Sequence, residues 1–174
     1  MTTATQAVPV KRLLSAQAYQ LIDREIAKYP PDQKQSAVMA SLTIAQDEVG
    51  WISPQVIEDV ASYLSMPPIA VYEVATFYNM YNTKEVGTWK IGVCTCLPCA
   101  LREGDKAGEY LKQKLGIDYG ETTPDGRFTL IETECLGSCA DAPICLINDK
   151  RVESFMDNAK LDALIEELKA RERH

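Results

Sequence analysis

Histidine is almost missing from this sequence, since the one histidine among its 174 residues is His174. Zinc sites with histidine ligands, Rieske clusters with two histidines, and nucleophilic catalysis by Ser–His or Cys–His pairs all need imidazole groups. Attached haem is also excluded, because the residue directly after Cys99 is Ala100 and not histidine. Any metal binding or redox chemistry of this chain must therefore use side chains other than histidine.

Basic runs and long apolar segments are missing as well. The sequence has 18 Lys and Arg against 25 Asp and Glu, a net charge of -7, so we expect no nucleic-acid partner. The longest apolar stretches, such as residues 74–78, are far shorter than the roughly 20 residues that cross a bilayer. Residues 1–9 do not have the pattern of a secretory signal, so we expect a reducing compartment and no direct membrane insertion.

Phosphate-binding glycine motifs are a third absence. The sequence has no Gly-x-Gly-x-x-Gly motif and no Walker loop, and Gly104, Gly108 and Gly116 fit helix surfaces and caps. Paired carboxylates such as Asp47 and Glu48 are typical of solvated helix faces. We therefore predict no catalytic residue and no substrate site in this chain.

Cysteine, by contrast, is concentrated in two loops. Five of the six cysteines lie in residues 94–99 (Cys-Thr-Cys-Leu-Pro-Cys), the first cysteine loop, or in residues 135–139 (Cys-Leu-Gly-Ser-Cys), the second cysteine loop. In a reducing compartment, such cysteines are metal ligands or redox groups more often than disulfide partners. The sixth, Cys145, sits in the apolar run 144–147 and is interpreted as a core thiol.

The first half of the chain has the pattern of four short helices. After a flexible tail at residues 1–14, Ser15 and Ser53 are predicted N-caps, Pro30-Pro31 and residues 66–68 are breaks, and Gly50 ends the second helix. The apolar positions at helical spacing are Ala18, Leu21, Ile22 and Ile26; Val38, Leu42, Ala45 and Val49; Val56, Ile57, Val60 and Leu64; and Val71, Val74, Ala75 and Tyr78. The pattern predicts a small helical bundle over residues 15–84.

An aromatic group lies in and after the fourth predicted helix. Its members are Tyr72, Phe77, Tyr78 and Tyr81. We interpret them as core residues, with a partner surface as the second interpretation, because so small a helical unit cannot bury every aromatic side chain.

From residue 85 to residue 174 the pattern changes to that of an α/β domain. Strands are predicted over residues 89–93, 127–132, 144–147 and 152–155, and helices over residues 101–115 and 158–171. Residues 123–126 (Thr-Pro-Asp-Gly) form a turn by composition. Both cysteine loops follow predicted strands, where binding residues are common.

The cysteine spacing suits an iron–sulfur cluster. Two irons that share two sulfides need four thiolate ligands, and Cys94/Cys99 and Cys135/Cys139 could each serve one iron. Gly137 lets backbone amides approach sulfur closely.

Two other interpretations of the spacing stay open at this point. Zinc could bind Cys96 and Cys99 together with Cys135 and Cys139 as a tetrathiolate. Alternatively, Cys96 and Cys99 between a strand and a helix have the pattern of a thioredoxin-type redox dithiol.

Several motifs together resemble one known family. Cys94-x4-Cys99, the second cysteine loop, residues 123–128 (Thr-Pro-Asp-Gly-Arg-Phe) and residues 74–78 (Val-Ala-Thr-Phe-Tyr) occur in the expected order. The chain, over roughly residues 15–170, resembles the thioredoxin-like 2Fe–2S subunit of the NADH dehydrogenase module of respiratory complex I. The resemblance implies a four-helix bundle followed by a thioredoxin-like α/β domain. It also implies one 2Fe–2S cluster bound by Cys94, Cys99, Cys135 and Cys139, whereas Cys96 and Cys145 match no ligand position of the family.

The same resemblance implies electron transfer in NADH:quinone oxidoreductase. The expected partners are a flavin-bearing, NADH-oxidising subunit, on which FMN and NADH bind, and other subunits of the peripheral arm. The expected location is cytoplasmic and peripheral to the inner membrane in a bacterium, or the matrix side in an organelle. Equivalent subunits serve NAD-linked hydrogenases and formate dehydrogenases, which remain alternatives.

Three acidic residues, Glu132, Glu134 and Asp141, flank the second cysteine loop. A cluster with four thiolates is anionic, so nearby carboxylates oppose its reduction. We therefore expect these residues to lower the reduction potential.

Overall fold

The computed structural model describes residues 12–171, so residues 1–11 of the predicted tail and residues 172–174 lie outside the described residues. The chain divides into two compact units, the first ending at Glu85 and the second beginning at Val86. Each unit has a hydrophobic core of its own. Within residues 12–171, no helix has both the length and the hydropathy needed to cross a membrane.

The first unit is helical. Its elements are α1 (Ala16–Ile26), a 3₁₀ helix (Pro31–Ala37), α2 (Val38–Val49), α3 (Pro54–Leu64) and α4 (Pro68–Phe77). Four helices were predicted here, and all four are present.

The predicted helix caps are confirmed. The Ser15 and Ser53 hydroxyls accept hydrogen bonds from the backbone N–H groups of Ala18 and Val56, each at 3.2 Å. Gly50 follows α2 with a φ of 92°, which a residue with a side chain rarely adopts. These contacts satisfy backbone groups that helix ends leave without partners.

The sequence predicts a second helix from about Asp32, directly after the prolines, but the helix begins later. Residues 31–37 form a 3₁₀ helix in which Gln33 departs from helical geometry, with a φ of -113°. Pro30 and Pro31 have no N–H to donate, and the Gln33 N–H bonds the Pro30 carbonyl three residues back at 2.8 Å. This tight turn delays the α-helix to Val38.

All four α-helices contribute to the core of the first unit. Its buried side chains include Ile22, Leu42, Val60 and Val71. Three positions of the predicted apolar stripes are exposed instead, namely Leu21, Val49 and Tyr78. Each lies at the edge of its stripe, because Leu21 is about 100° around the helix from Ile22 and the other two lie at helix ends.

The aromatic group near α4 is divided between core and surface. Tyr81 is buried, whereas Tyr72, Tyr78 and Phe77 are exposed, Phe77 with 81% of its surface. The prediction of a core position is therefore right for Tyr81 and wrong for the other three. Ile69 is exposed too, so α4 carries apolar side chains on the surface of the first unit.

The second unit is built on a mixed four-stranded sheet. Its elements are β1 (Trp89–Cys94), α5 (Leu97–Ala100), α6 (Gly104–Leu115), β2 (Phe128–Thr133), a 3₁₀ helix (Cys139–Asp141), β3 (Ile144–Ile147), β4 (Arg151–Ser154) and α7 (Asn158–Ala170). The strand order is β2-β1-β3-β4. The four predicted strands are confirmed, and β3 and β4 pair as antiparallel neighbours.

The register of the sheet places the cysteines. β1 runs parallel to β2 with Cys94 opposite Thr133, and antiparallel to β3 with Val93 opposite Cys145. One face of the sheet packs in the core of the second unit against α6 and α7, through residues such as Val93, Leu111 and Leu161. Since side chains alternate along a strand, Cys94 lies on the other face from Val93 and Cys145.

The helix predicted over residues 101–115 is present but begins later than predicted. Residues 97–100 form the separate short helix α5, and α6 begins at Gly104 after Glu103, which has a φ of 70°. A Cβ atom on Gly104 would lie 2.8 Å from the Cys99 carbonyl oxygen and 3.1 Å from that of Cys94. The break therefore lets α6 start close against the backbone of the first cysteine loop.

Candidate metal centre

The first cysteine loop begins where β1 ends. Cys94 is the last residue of the strand, and Cys99 lies in α5; each side chain is 1% exposed. The Cys99 N–H bonds the Cys96 carbonyl at 2.8 Å, which closes the turn between them. Both buried thiols are therefore held by the strand end and the short helix.

Cys94 and Cys99 form a pair. The Cys94 thiol and the backbone N–H of Ile144 both lie close enough to Cys99 to affect the pKa of its thiol. Burial, followed by the contact with Cys94, raises the pKa of Cys99 to about 11. In the metal-free protein, Cys99 is thus protonated at neutral pH.

The second cysteine loop follows β2 and forms the other pair. The sulfur atoms of Cys135 and Cys139 lie 3.6 Å apart. Gly137 has a φ of 79°, and its N–H donates to Cys135 Sγ at 3.4 Å. The hydrogen bond with Cys135, followed by burial, raises the pKa of Cys139.

The sheet brings the two loops together at the carboxyl ends of its two parallel strands. Because β1 and β2 are parallel, their carboxyl ends lie together, and the Thr95 N–H bonds the Thr133 carbonyl at 3.3 Å. Cys94 and Cys99 belong to one buried cluster with Ala142 and Ile144, and Leu136 of the second loop packs against it. Residues distant in sequence thus share a single site.

The remaining two cysteines have different surroundings. The Sγ of Cys96 donates to Glu134 Oε2 at 3.3 Å, and this contact, followed by burial, raises the pKa of Cys96 to about 11. Cys145 is fully buried in the core between the sheet and its helices, where burial raises the pKa of its thiol to about 12. The prediction that Cys145 is a core thiol is confirmed.

The donor set fits a binuclear centre better than a single ion. Across residues 12–171, no three side chains of Cys, His, Asp or Glu are grouped as they would be around one metal ion. The thiols instead form two pairs, and the backbone N–H of Gly137 donates to the Cys135 sulfur. Two irons bridged by sulfide take two thiolates each, and amide hydrogen bonds stabilise their negative charge.

Some parts of this site have no signature in the sequence. The Cys96–Glu134 contact joins residues 38 positions apart. Of the other acidic residues near the second cysteine loop, Glu132 accepts a hydrogen bond from the Thr95 hydroxyl at 2.7 Å. The backbone carbonyl of Asp141 accepts a hydrogen bond from the Phe155 N–H.

Comparison with known families decides which centre this is. Residues 22–169 match the sequence model of the thioredoxin-like [2Fe-2S] ferredoxin family. The chain belongs to this family. Its cofactor is a 2Fe–2S cluster, and its second unit, with helices on a mixed four-stranded sheet, is the thioredoxin-like part of the fold.

Relatives in this family confirm the resemblance drawn from the cysteine motifs. The E subunit of the NADH-quinone oxidoreductase of Rickettsia prowazekii is 45% identical over 148 residues, covering 84% of this chain and 83% of that protein. Subunit 2 of the Thermus thermophilus enzyme is 39% identical, covering 87% of this chain and 84% of that protein.

A solved structure is similar as well. A chain of an NAD+-reducing [NiFe]-hydrogenase in its H2-reduced state is 26% identical with a TM-score of 0.68. The match covers 78% of this chain but only 22% of that hydrogenase chain, so our chain corresponds to about a fifth of its length.

Proposed function

We propose that this chain is the electron-transfer subunit of an NADH:quinone oxidoreductase and holds one 2Fe–2S cluster on Cys94, Cys99, Cys135 and Cys139. The observation that carries the proposal is that two cysteine pairs lie together at the carboxyl ends of β1 and β2. The identity of 45% to a subunit of the Rickettsia prowazekii enzyme supports the choice of complex.

The ligand set follows from the surroundings of the six cysteines. Cys145 lies on the opposite face of the sheet from Cys94 and is enclosed in the core. Cys96 is hydrogen-bonded to Glu134, an interaction that favours its protonated form. The four other thiols form two pairs, and in one of them Cys135 accepts the backbone N–H of Gly137.

The residues around the site hold it and leave one side open. When bound, the cluster takes up and releases one electron. Cys94 and Cys99 are enclosed by Ala142 and Ile144, which keep water from that side. Cys135 is exposed, so electron exchange with a partner takes place on the side of the second cysteine loop.

The partner we propose is a flavin-bearing, NADH-oxidising subunit that carries FMN and binds NADH. Leu97 is the first residue of α5 and Leu101 follows its end, with 71% and 77% of their surfaces exposed. Large apolar side chains so exposed are suited to burial against another protein. Further contacts with peripheral-arm subunits would place the chain at the cytoplasmic or matrix side of the membrane.

We also propose that α1–α4 form a four-helix bundle domain over residues 15–84 and that the thioredoxin-like domain covers residues 85–174. The single core that the four helices share supports the bundle. One hydrophobic core shared by four short helices is typical of a small helical bundle.

A second candidate is the equivalent subunit of an NAD-linked hydrogenase or formate dehydrogenase. The structural similarity to an NAD+-reducing hydrogenase favours it. Copurification from the native organism discriminates the two, because the candidate complexes differ in their other subunits. Quinone-linked activity in the purified complex supports our proposal, and hydrogenase or formate dehydrogenase activity contradicts it.

A redox dithiol at Cys96 and Cys99 is disfavoured by the thiols themselves. Such enzymes depend on a lowered thiol pKa. Here the contact with Glu134 raises the pKa of Cys96, and burial raises that of Cys99. Insulin reduction by the metal-free protein would contradict this reasoning.

The decisive experiment is iron analysis of anaerobically purified protein. We expect two iron and two sulfide per chain, visible absorption that bleaches with dithionite, and an EPR signal after reduction. Zinc without colour would contradict the proposal.

Serine variants test the ligand set. Cys135→Ser and Cys139→Ser should lose or strongly alter the visible spectrum, because serine oxygen is a harder ligand than thiolate. Cys96→Ser is the matched control in the same site and should keep the iron content and spectrum. Loss of iron in the control, with retention in the other two, would overturn the assignment.

A further inference from the structure

One buried hydroxyl beside the cysteines has no hydrogen-bond partner. Within residues 12–171, Thr133 Oγ1 and Trp89 Nε1 are the buried side-chain polar atoms without one. A buried polar group without a partner is unfavourable, and each case calls for an explanation such as an absent ligand or water. Trp89 lies at the start of β1, whereas Thr133 ends β2 at the cysteine loops.

Thr133 is the sheet neighbour of Cys94. The two residues are paired in the parallel register of β1 and β2, so their side chains leave the sheet on the same face. The Thr133 carbonyl also accepts the N–H of Thr95 at 3.3 Å. The hydroxyl-bearing residue is thus tied to the first cysteine loop and lies two positions before Cys135.

Gly92 has no side chain, and the space this leaves determines the orientation of the Thr133 side chain. A Cβ atom on Gly92 would lie 2.5 Å from the Thr133 methyl carbon, so that methyl group occupies the space beside Gly92. Staggered geometry then places the Thr133 hydroxyl in a different direction from the methyl group. The orientation of the hydroxyl is therefore fixed by packing.

We propose that the Thr133 hydroxyl donates a hydrogen bond to a sulfide of the 2Fe–2S centre, which would supply the partner that this hydroxyl lacks among the protein's own atoms. This inference rests on the proposed function, because it requires a cluster at Cys94. Reduction adds one negative charge to the centre, so a donor to sulfur stabilises the reduced form and raises the reduction potential. Thr133 is a tuning residue, not a ligand.

The test compares Thr133→Val with Thr133→Ser by redox titration followed by EPR. Valine keeps the shape and removes the hydroxyl, so we expect its midpoint potential to shift downward. Serine keeps the hydroxyl, so it should leave the potential near that of the unchanged protein. If valine loads no cluster, Thr133→Ala replaces it in the same comparison with serine.

Thr129→Val is the matched control, because Thr129 is buried in the same strand but its hydroxyl already bonds Gly87 N–H at 2.6 Å. We expect this variant to lose stability without a shift in potential. A normal iron content with an unchanged potential in both Thr133→Val and Thr133→Ala would overturn the inference about Thr133 alone. Absence of iron from the unchanged protein would instead overturn the proposed function.

Discussion

The sulfur of Cys96 lies 3.3 Å from a carboxylate oxygen of Glu134 and donates a hydrogen bond to it. The two residues come from different cysteine loops, so the contact links the loops at the surface of the site. It also places a negative charge next to the four paired thiols.

We predict that Glu134→Gln raises the reduction potential of the cluster. Removing the charge lessens the repulsion of the added electron, and for an exposed group the shift should be about 20–40 mV. Redox titration monitored by EPR measures it. Glu166→Gln is the control, since that carboxylate is in α7 and pairs with Lys169. An unchanged or lower potential in Glu134→Gln would reject the electrostatic role.

The same substitution should speed alkylation of Cys96 in the metal-free protein. The hydrogen bond to Glu134 is the main cause that raises the pKa of Cys96 to about 11, so its removal increases the thiolate fraction at pH 8.5. Mass spectrometry after timed treatment with iodoacetamide follows the modification of Cys96. Equal rates in the two proteins would show that Glu134 does not control this thiol.

Cluster assembly on the metal-free protein should become more favourable as pH rises from 7 to 9. Burial, followed by the contact with Cys94, raises the pKa of Cys99 to about 11, so its proton must be displaced by iron throughout this range. Each displaced proton contributes roughly a tenfold increase in binding per pH unit. Anaerobic titration with iron and sulfide at fixed pH values measures this dependence. A decrease in binding over the range would contradict it.

Cys145 should make the metal-free protein less stable at alkaline pH. Burial raises the pKa of Cys145 from its ordinary value of 9.0 to about 12, so the folded protein keeps this proton after the unfolded chain has lost it. The stabilisation is complete below about pH 9 and is lost between pH 9 and 12, by up to about 1.4 kcal/mol per pH unit.

Urea unfolding of the unchanged protein and of Cys145→Ala at several pH values checks this prediction. The alanine variant should have a shallower fall in unfolding free energy above pH 9, since it lacks the titrating thiol. Parallel falls in the two proteins would contradict the prediction.

Asp59 should be the most important acidic residue for the stability of the first unit. Its fully buried carboxylate accepts hydrogen bonds from Arg12 at 2.9 Å, from the Leu13 N–H at 3.0 Å and from the Tyr19 hydroxyl. Asp59→Ala leaves these donors without an acceptor and should cost about 3 kcal/mol in urea unfolding. Asp23→Ala removes one exposed contact, to Tyr63, and should cost far less. Comparable losses would contradict the assignment.

Local features of this protein were predictable from the sequence. Ser15 and Ser53 were recognisable as caps because a cap bonds a backbone group three residues away. Buried positions such as Ile22 in α1 and Leu42 in α2 followed from helical spacing. The pattern failed where two tendencies competed, as at residues 31–37, where consecutive prolines favour a 3₁₀ turn.

The chemistry of the site was also present in the sequence, because thiolate ligands in two spaced loops restrict the metal centre to a few kinds. Tertiary structure decided how the six thiols are used. Strand register puts Cys145 and Cys94 on opposite faces, and the approach of the two loops joins Cys96 to Glu134. It also leaves the Thr133 hydroxyl without a partner. These contacts join residues far apart in the chain, so they depend on how strands pair and not on the preferences of neighbouring residues.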